Sequence, residues 1–505
     1  MKCDLMDSNV TRLFEEFNNK NIRYCSFKSN EHLIEGILGN TDLDILIDIN
    51  EYENAVIILR KYHFTQVEPI GVGSYPNVVN WYGMDYQAGK LIHIHLHFEL
   101  MTGKSLVKEY CLPWKDFFLD NIIIDENTAV KCVNPTLEYI LLFTRIFIKR
   151  NTKPSKVYFA EDTKKEIDFL YNKIKYKELN KWVKIFFPEC DAERITKILY
   201  NKSNCDDAQF IWLYNSVKKA LVSSQRFSEK SALIRSFLNR TIRKITREIN
   251  SAANTTLPLK KRFIDSGLSV AFVGIDGSGK STISKYISKW LGSEFDIKVY
   301  YAGAGDGKKD KLSTFLLTMY GKYGHKMKND SHIGVPVGGY IADKEKSKPS
   351  IKRKIKGIGS SIAYNRILAS NIRHLKEANA LTAKGLVCLM DRYPQNSVPF
   401  VHDGAKVKKY DTGRGILHFY SEKERKYLES IKQTPFDLVI KLHVSGETSY
   451  KRKPLESLES LKYKEMTLDN VIYDAKEMVV IDAEADLEEV LLAVKRVIWD
   501  RLSMK

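Results

Sequence analysis

The chain has 505 residues, with 80 Lys+Arg against 62 Asp+Glu and a formal net charge of +18. A hydrophobic content of 44% with 11% aromatics can fill packed cores and excludes wholesale disorder, and at roughly 150 residues per domain the length predicts about three domains. The richest apolar run, Tyr139 to Ile148, contains Arg145 and falls short of a membrane span, the N-terminus carries acids where a leader would be basic and then apolar, and seven scattered Cys without a Cys-x-x-Cys pair predict reduced thiols in the cytoplasm.

Residues 1–150 hold 15 basic and 20 acidic side chains, a net of −5. Leu43 to Ile49 is apolar and β-branched, and Leu91 to Leu100 alternates, so both are predicted strands. Phe27-Lys-Ser-Asn30 is followed by Gly39-Asn-Thr-Asp-Leu-Asp44 at the head of the first of these. Asp42 and Asp44 are two residues apart, which puts both carboxylates on one strand face. Paired carboxylates at that spacing can hold one or two Mg²⁺ against a triphosphate; the plainer alternative is an Asp-rich turn capping a strand. On the second strand His93, His95 and His97 also share a face with one another and with Glu99. They are candidates to join a metal or bind a phosphate, or else form a polar strand face.

The Gly-x-[Ser/Thr]-Asp-x-Asp pattern resembles that of the nucleotidyltransferase superfamily, whose opening Gly-Ser is replaced here by Lys28-Ser29. The resemblance implies an α/β domain over 1–135, with Asp42 and Asp44 as catalytic metal ligands and Glu99 as a third carboxylate.

From Pro135 the pattern is helical to about Asn250, and residues 151–265 hold 24 basic and 13 acidic side chains, a net of +11. Ser231 to Ile249 is strongly basic, with apolar residues at helical spacing. Ser251-Ala-Ala-Asn-Thr-Thr-Leu-Pro258 is small, polar and ends in Pro, as a linker does. The expected organisation is therefore 1–135, a helical segment 136–250, a linker 251–265 and a domain 266–505.

The apolar run Leu268 to Val273 leads into Gly274-Ile-Asp-Gly-Ser-Gly-Lys-Ser281, which fits G-x-x-x-x-G-K-[ST] in its required strand-then-helix context. Gly274, Gly277 and Gly279 allow successive N–H groups to turn onto phosphate oxygens. Lys280 adds a point charge, the Ser281 hydroxyl can ligate Mg²⁺, and the helix that follows aims its positive end at the same place. The strand–helix alternation after Leu268 predicts a parallel sheet.

This loop, continued by Thr282, closely resembles that of the thymidylate kinase family, and the match extends over roughly 266–505. Gly385 to Tyr393 resembles that family's strand ending in Asp391-Arg-Tyr393, Phe436 to Leu442 its next core strand, Lys451-Arg-Lys453 its basic lid, and Val479 to Val490 its last strand and helix. The resemblance implies a P-loop NTPase fold with a doubly wound parallel sheet, ATP as donor, and a homodimer. It also implies Mg²⁺ on Ser281 and Asp391, Arg392 and Arg452 on the transferring phosphoryl group, and Asp276 toward the acceptor. Gly274, Gly277, Ser278, Gly279, Lys280 and Thr282 would surround the nucleotide.

Two acceptor-side segments depart from the family: Val299 to Gly307, and Pro394 to Gly404. A basic insertion at 308–356 carries 13 basic and 4 acidic residues. Phosphoryl transfer to a nucleotide or sugar-like acceptor, coupled to nucleotidyl transfer by the N-terminal domain, is the leading expectation. An NTP-binding regulatory or defence module, and a nucleic-acid-binding protein, are the alternatives.

Overall fold

The computed structural model describes residues 8–149, 161–201, 207–302, 351–399, 401–407 and 413–505. Segment 303–307 and residues 308–350 of the basic insertion lie outside them. Two compact units divide between Lys261 and Arg262, so the helical segment 136–250 belongs to the same unit as the first 135 residues.

Among the described residues the first unit forms nine strands: β1 (Tyr24–Ser26), β2 (Leu43–Ile47), β3 (Thr65–Pro69), β4 (Val78–Asp85), β5 (Lys90–His97), β6 (Leu100–Thr102), β7 (Tyr110–Leu112), β8 (Ile122–Ile124) and β9 (Lys131–Val133). β3, β4, β5, β2, β1, β9 and β8 lie side by side in that order, and β6 pairs with β7 separately. β4 and β5 are antiparallel, as a short connection allows, whereas β2 and β5 run parallel with Asp44 opposite His95. That register carries the Asp42–Asp44 turn and the histidine strand onto one patch. The alternation expected to Leu100 stops at His97, because the chain leaves β5 there and Leu100 opens β6.

The helix Pro135–Lys149 starts with Pro at its first position, and the Asn134 side chain accepts the Thr136 N–H at 2.8 Å. Its apolar face joins a core with Trp114, Phe118, Trp182 and Phe186. The helix Glu229–Ala253 overruns the expected linker start by one turn and stops at Asn254, whose φ of 50° is left-handed.

A short strand β10 (Lys261–Phe263) straddles the division. The second unit's sheet comprises β11 (Leu268–Val273), β12 (Ile297–Tyr301), β13 (Val387–Asp391), β14 (Phe436–His443) and β15 (Ala475–Asp482), in the order β12-β13-β11-β14-β15, all parallel. β11 and β13 are buried at every residue, which accounts for their mainly apolar sequences, broken only by Ser269 and by Asp391 at the strand end. The carboxyl ends of β11 and β13 are adjacent, with Phe272 opposite Asp391. An open α/β sheet binds its ligands at such an edge.

Candidate functional site

In the second unit the turn after β11 takes φ of 155°, 87° and 90° at Gly274, Gly277 and Gly279, a path denied to residues with a Cβ. A Cβ on Gly277 would stand 2.8 Å from the Ser449 carbonyl oxygen, whereas one on Gly279 would meet open space. The helix Lys280–Gly292 begins at this turn, so its unpaired N–H groups and positive end face the loop mouth. Ser449, on the helix Gly446–Arg452, donates its hydroxyl to the Asp276 carbonyl and ties that helix to the loop.

Lys280 is buried inside the turn, donating to the carbonyls of Gly274 at 3.0 Å and Ile275 at 2.7 Å. Burial, assisted by the Arg392 charge, pulls its pKa down to about 8. Ser281 donates to Asp391 Oδ2 at 2.6 Å. The other Asp391 oxygen, Oδ1, is buried without a hydrogen-bond partner, as is Ser278 Oγ in the loop. A hydroxyl and a carboxylate with an orphaned oxygen at a strand end form an oxygen donor set that fits Mg²⁺. Thr282, exposed in the helix's first turn, has no contact with these groups among the hydrogen bonds described.

Asp276 extends from the loop into a cleft that it lines together with Lys280, Arg392, His402 and Lys464. Arg392 lies 3.2 Å from Asp276 and 3.7 Å from Asp403, while Lys464 lies 2.9 Å from Asp276 and 2.6 Å from Glu456. Burial would raise the Asp276 carboxyl, but Lys464 and the other cations hold it well below the usual carboxylate range. Arg392, His402 and Asp403 have left-handed φ of 75°, 48° and 59°, each costing about 1–2 kcal/mol. Gln395 is fully buried and holds the segment that carries two of them. Its side-chain oxygen accepts from the N–H groups of Ser397 and Val398, and its amide donates to the carbonyls of Val398 and Val401. His402 donates from Nε2 to the Lys464 carbonyl at 2.8 Å, and burial lowers its pKa to about 4.

Lys280, Ser281, Asp391, Arg392 and Asp276 therefore converge. Arg452, expected on the phosphoryl group, is instead exposed and donates to the Ala483 carbonyl at 2.9 Å. One helix later, Lys464 does reach the loop, 2.9 Å from Asp276. Sequence reasoning missed Lys464 and Tyr473, which line the cleft, and singled out His402 and Asp403 only as part of the divergent segment Pro394 to Gly404. No spacing rule could have found Lys464 and Tyr473, since they lie far along the chain from the loop; the departure over Pro394 to Gly404 was the signal for His402 and Asp403.

In the first unit Asp42 lies 2.8 Å from His93 Nδ1, and Asp44 Oδ1 lies 2.9 Å from Lys28 Nζ, 3.4 Å from His95 Nδ1 and 3.2 Å from His97 Nε2. Asp42, His93 and His95 bring one ligand atom each within 4.8 Å of one another, and so do Asp44, His95 and His97. Burial would raise Asp44, but the Lys28 ammonium and the imidazoles hold it well below its ordinary value. Burial pushes His93 down to about 4 and His97 down to about 3, so both imidazoles are neutral at pH 7. Tyr82 stacks on His93 with centroids 4.2 Å apart. Glu99 does not join them; beyond the end of β5 the strand parity is lost, and it pairs with Lys115 at 3.2 Å.

The donors here differ from those beside Ser281. Imidazole outnumbers carboxylate, which suits a transition metal better than Mg²⁺. The Lys28 ammonium already stands against Asp44, so a divalent ion would have to displace it.

Behind this patch Glu138 is fully buried and accepts from the Asn30 backbone N–H at 3.0 Å and from Asn30 Nδ2 at 2.8 Å. Ser29, just before, has a φ of 58°. Burial raises Glu138 to about 7, against the pull of the Asn30 donors. Glu31 and Glu166 lie alongside, with Arg145 3.5 Å from Glu166.

No family model matches the chain. Over 223 residues it is 26% identical to the "Uncharacterized ATP-binding protein YghR" of Escherichia coli strain K12, covering 44% of this chain and 83% of that protein. Over 240 residues it is 27% identical to the "Uncharacterized ATP-binding protein YghS" of the same strain, covering 46% and 93%. Among solved structures it is similar to a deoxyadenosine kinase from M. mycoides with bound dATP, at 18% identity and a TM-score of 0.25, over 46% of this chain and 98% of that one. It is also similar to a thymidylate kinase from Candida albicans, at 15% identity and a TM-score of 0.31, over 48% and 94%. All four matches cover less than half of the chain. Among the described residues no helix is long and apolar enough to cross a membrane, and the five described cysteines are free thiols.

Proposed function

We propose that the second unit transfers a phosphoryl group from ATP to a nucleotide or sugar-like acceptor. The observation that carries this reading is the convergence on one loop of a buried lysine, a serine 2.6 Å from a carboxylate with a free buried oxygen, and an arginine held beside Asp276. The loop amides would cradle the donor phosphates, and Lys280 would exchange two carbonyls for phosphate oxygens. Ser281 and Asp391 would hold Mg²⁺, which when bound neutralises charge on the phosphate oxygens. Phosphoryl transfer needs mainly positioning and charge compensation, which Arg392 and Lys464 supply on the acceptor side. Asp276 and Asp403 would orient acceptor hydroxyls, and the two cations suit an acceptor that already bears a phosphate. The ATP-binding names of the two bacterial relatives support the donor half of this reading.

An acceptor screen with γ-labelled ATP tests it. Label should pass to a nucleotide or sugar phosphate and be lost in Lys280→Ala; full transfer by that variant would sink the assignment.

For the first unit we infer a metal-dependent step on a nucleotide, nucleotidyl transfer being the closest fit. Asp42 and Asp44 stand in one patch with three imidazoles, and Lys28 occupies the place of the superfamily's opening glycine. Loss of a cellular function in Asp42→Asn with kinase activity unchanged would separate the two chemistries.

A further inference from the structure

The helix Glu229–Ala253 meets the rest of its unit by an unusual side. Ala232 and Ser236 are buried, and Asn239 donates from Nδ2 to the Leu106 carbonyl at 2.8 Å. These three recur at helical spacing, so the helix docks through a stripe of small and polar residues. Leu233, Phe237, Leu238, Ile242, Ile245 and Ile249 fall on the opposite side and are 42–71% exposed. At 3.6 residues per turn they span roughly half the circumference, an arc that Lys230, Lys244 and Glu248 also enter. An apolar face normally turns to the core; this one points outward from Leu233 to Ile249, about 25 Å of helix.

The charges around that face choose its occupant. Lys230, Arg235, Arg240, Arg243, Lys244 and Arg247 stand against only Glu229 and Glu248 on the same helix. Arg240 and Arg247 border the apolar arc on one edge and Arg235 on the other. A second copy laid face to face would bring these rims of like charge together. An anionic phospholipid surface meets both features at once: the apolar arc enters the headgroup–acyl boundary while the arginines reach phosphate. We propose that the helix Glu229–Ala253 lies in the plane of an anionic membrane surface and anchors the protein there peripherally.

Co-sedimentation of the full chain with lipid vesicles tests this. Binding to phosphatidylcholine vesicles that include phosphatidylglycerol should exceed binding to phosphatidylcholine alone by at least about tenfold, and should weaken with added salt. The double variant Phe237→Glu, Ile242→Glu should lower the partition by about tenfold or more. Arg240→Gln with Arg247→Gln should lower it only for the anionic vesicles. All four substituted positions are exposed, so unfolding midpoints should stay at the wild-type value. The proposal is overturned if the wild type stays in solution with anionic vesicles. It is equally overturned if the wild type sediments as a dimer that Phe237→Glu, Ile242→Glu converts to monomer without changing vesicle binding, which would assign the face to a second copy.

Discussion

Replacing Glu138 with Gln should flatten the pH dependence of the first unit's stability. The carboxyl is buried, its folded pKa is about 7 against an ordinary 4.5, and its neighbours are Asn30, Glu31, Glu166 and Arg145. Because the folded pKa is the higher one, folding takes up a proton. The resulting stabilisation is full below about 4.5 and is lost as the pH rises through about 7. Between pH 5 and pH 8 the loss is about 2.5 kcal/mol, or roughly 5–10 °C in the midpoint of a unit of this size. Gln keeps an acceptor for Asn30 and carries no charge. Calorimetry of the intact chain should therefore show the variant gaining on the wild type by that amount between the two pH values. Parallel curves for the two proteins would refute the reasoning, since they would mean that Glu138 is equally easy to ionise folded and unfolded.

Gly279→Ala should cost about 1–2 kcal/mol of stability from the left-handed backbone alone, while Gly277→Ala should cost more, because its Cβ meets the Ser449 carbonyl; thermal unfolding of the pair decides. Asp391→Asn should raise the Mg²⁺ needed for half-maximal phosphoryl transfer by about tenfold or more, with metal-free nucleotide affinity unchanged in calorimetric titration. Lys28→Met strands Asp44 without its ammonium and should lower the unfolding midpoint by the equivalent of about 3 kcal/mol. Added Mn²⁺ should restore part of that loss if the Asp–His patch accepts a metal.

The phosphate loop was legible because its eight residues are contiguous and each glycine answers a local backbone demand. Strands β11 and β13 were legible for a similar reason, since burial on both faces leaves a mainly apolar run, and β14 keeps an apolar core at Leu438 to Ile440. The cleft was not, because Lys464 reaches Asp276 only through a helix packed over the loop, and Asp403 only through a segment held by Gln395. Arg452 lies in a basic triplet that looks like a lid, but its nearest acceptor is the Ala483 carbonyl rather than the loop. Glu99 failed on parity, since period-two reasoning holds only while the chain remains in the strand. Glu138 shows a different limit. An acid in a helix's first turn reads as a partner of the helix dipole, and nothing local reveals that the fold covers it. The histidine face of β5 was legible as a face, whereas the lysine that shares it came from the departure at Lys28.

That lysine has a consequence for how the first unit meets its surroundings. A bound metal ion is held by mass action and is lost to dilution, to chelators or to a competing protein. The Lys28 ammonium is attached to the chain and lies 2.9 Å from Asp44 at any protein concentration. The first unit therefore carries its own counter-ion for Asp44, tethered to the chain and independent of any ion in solution.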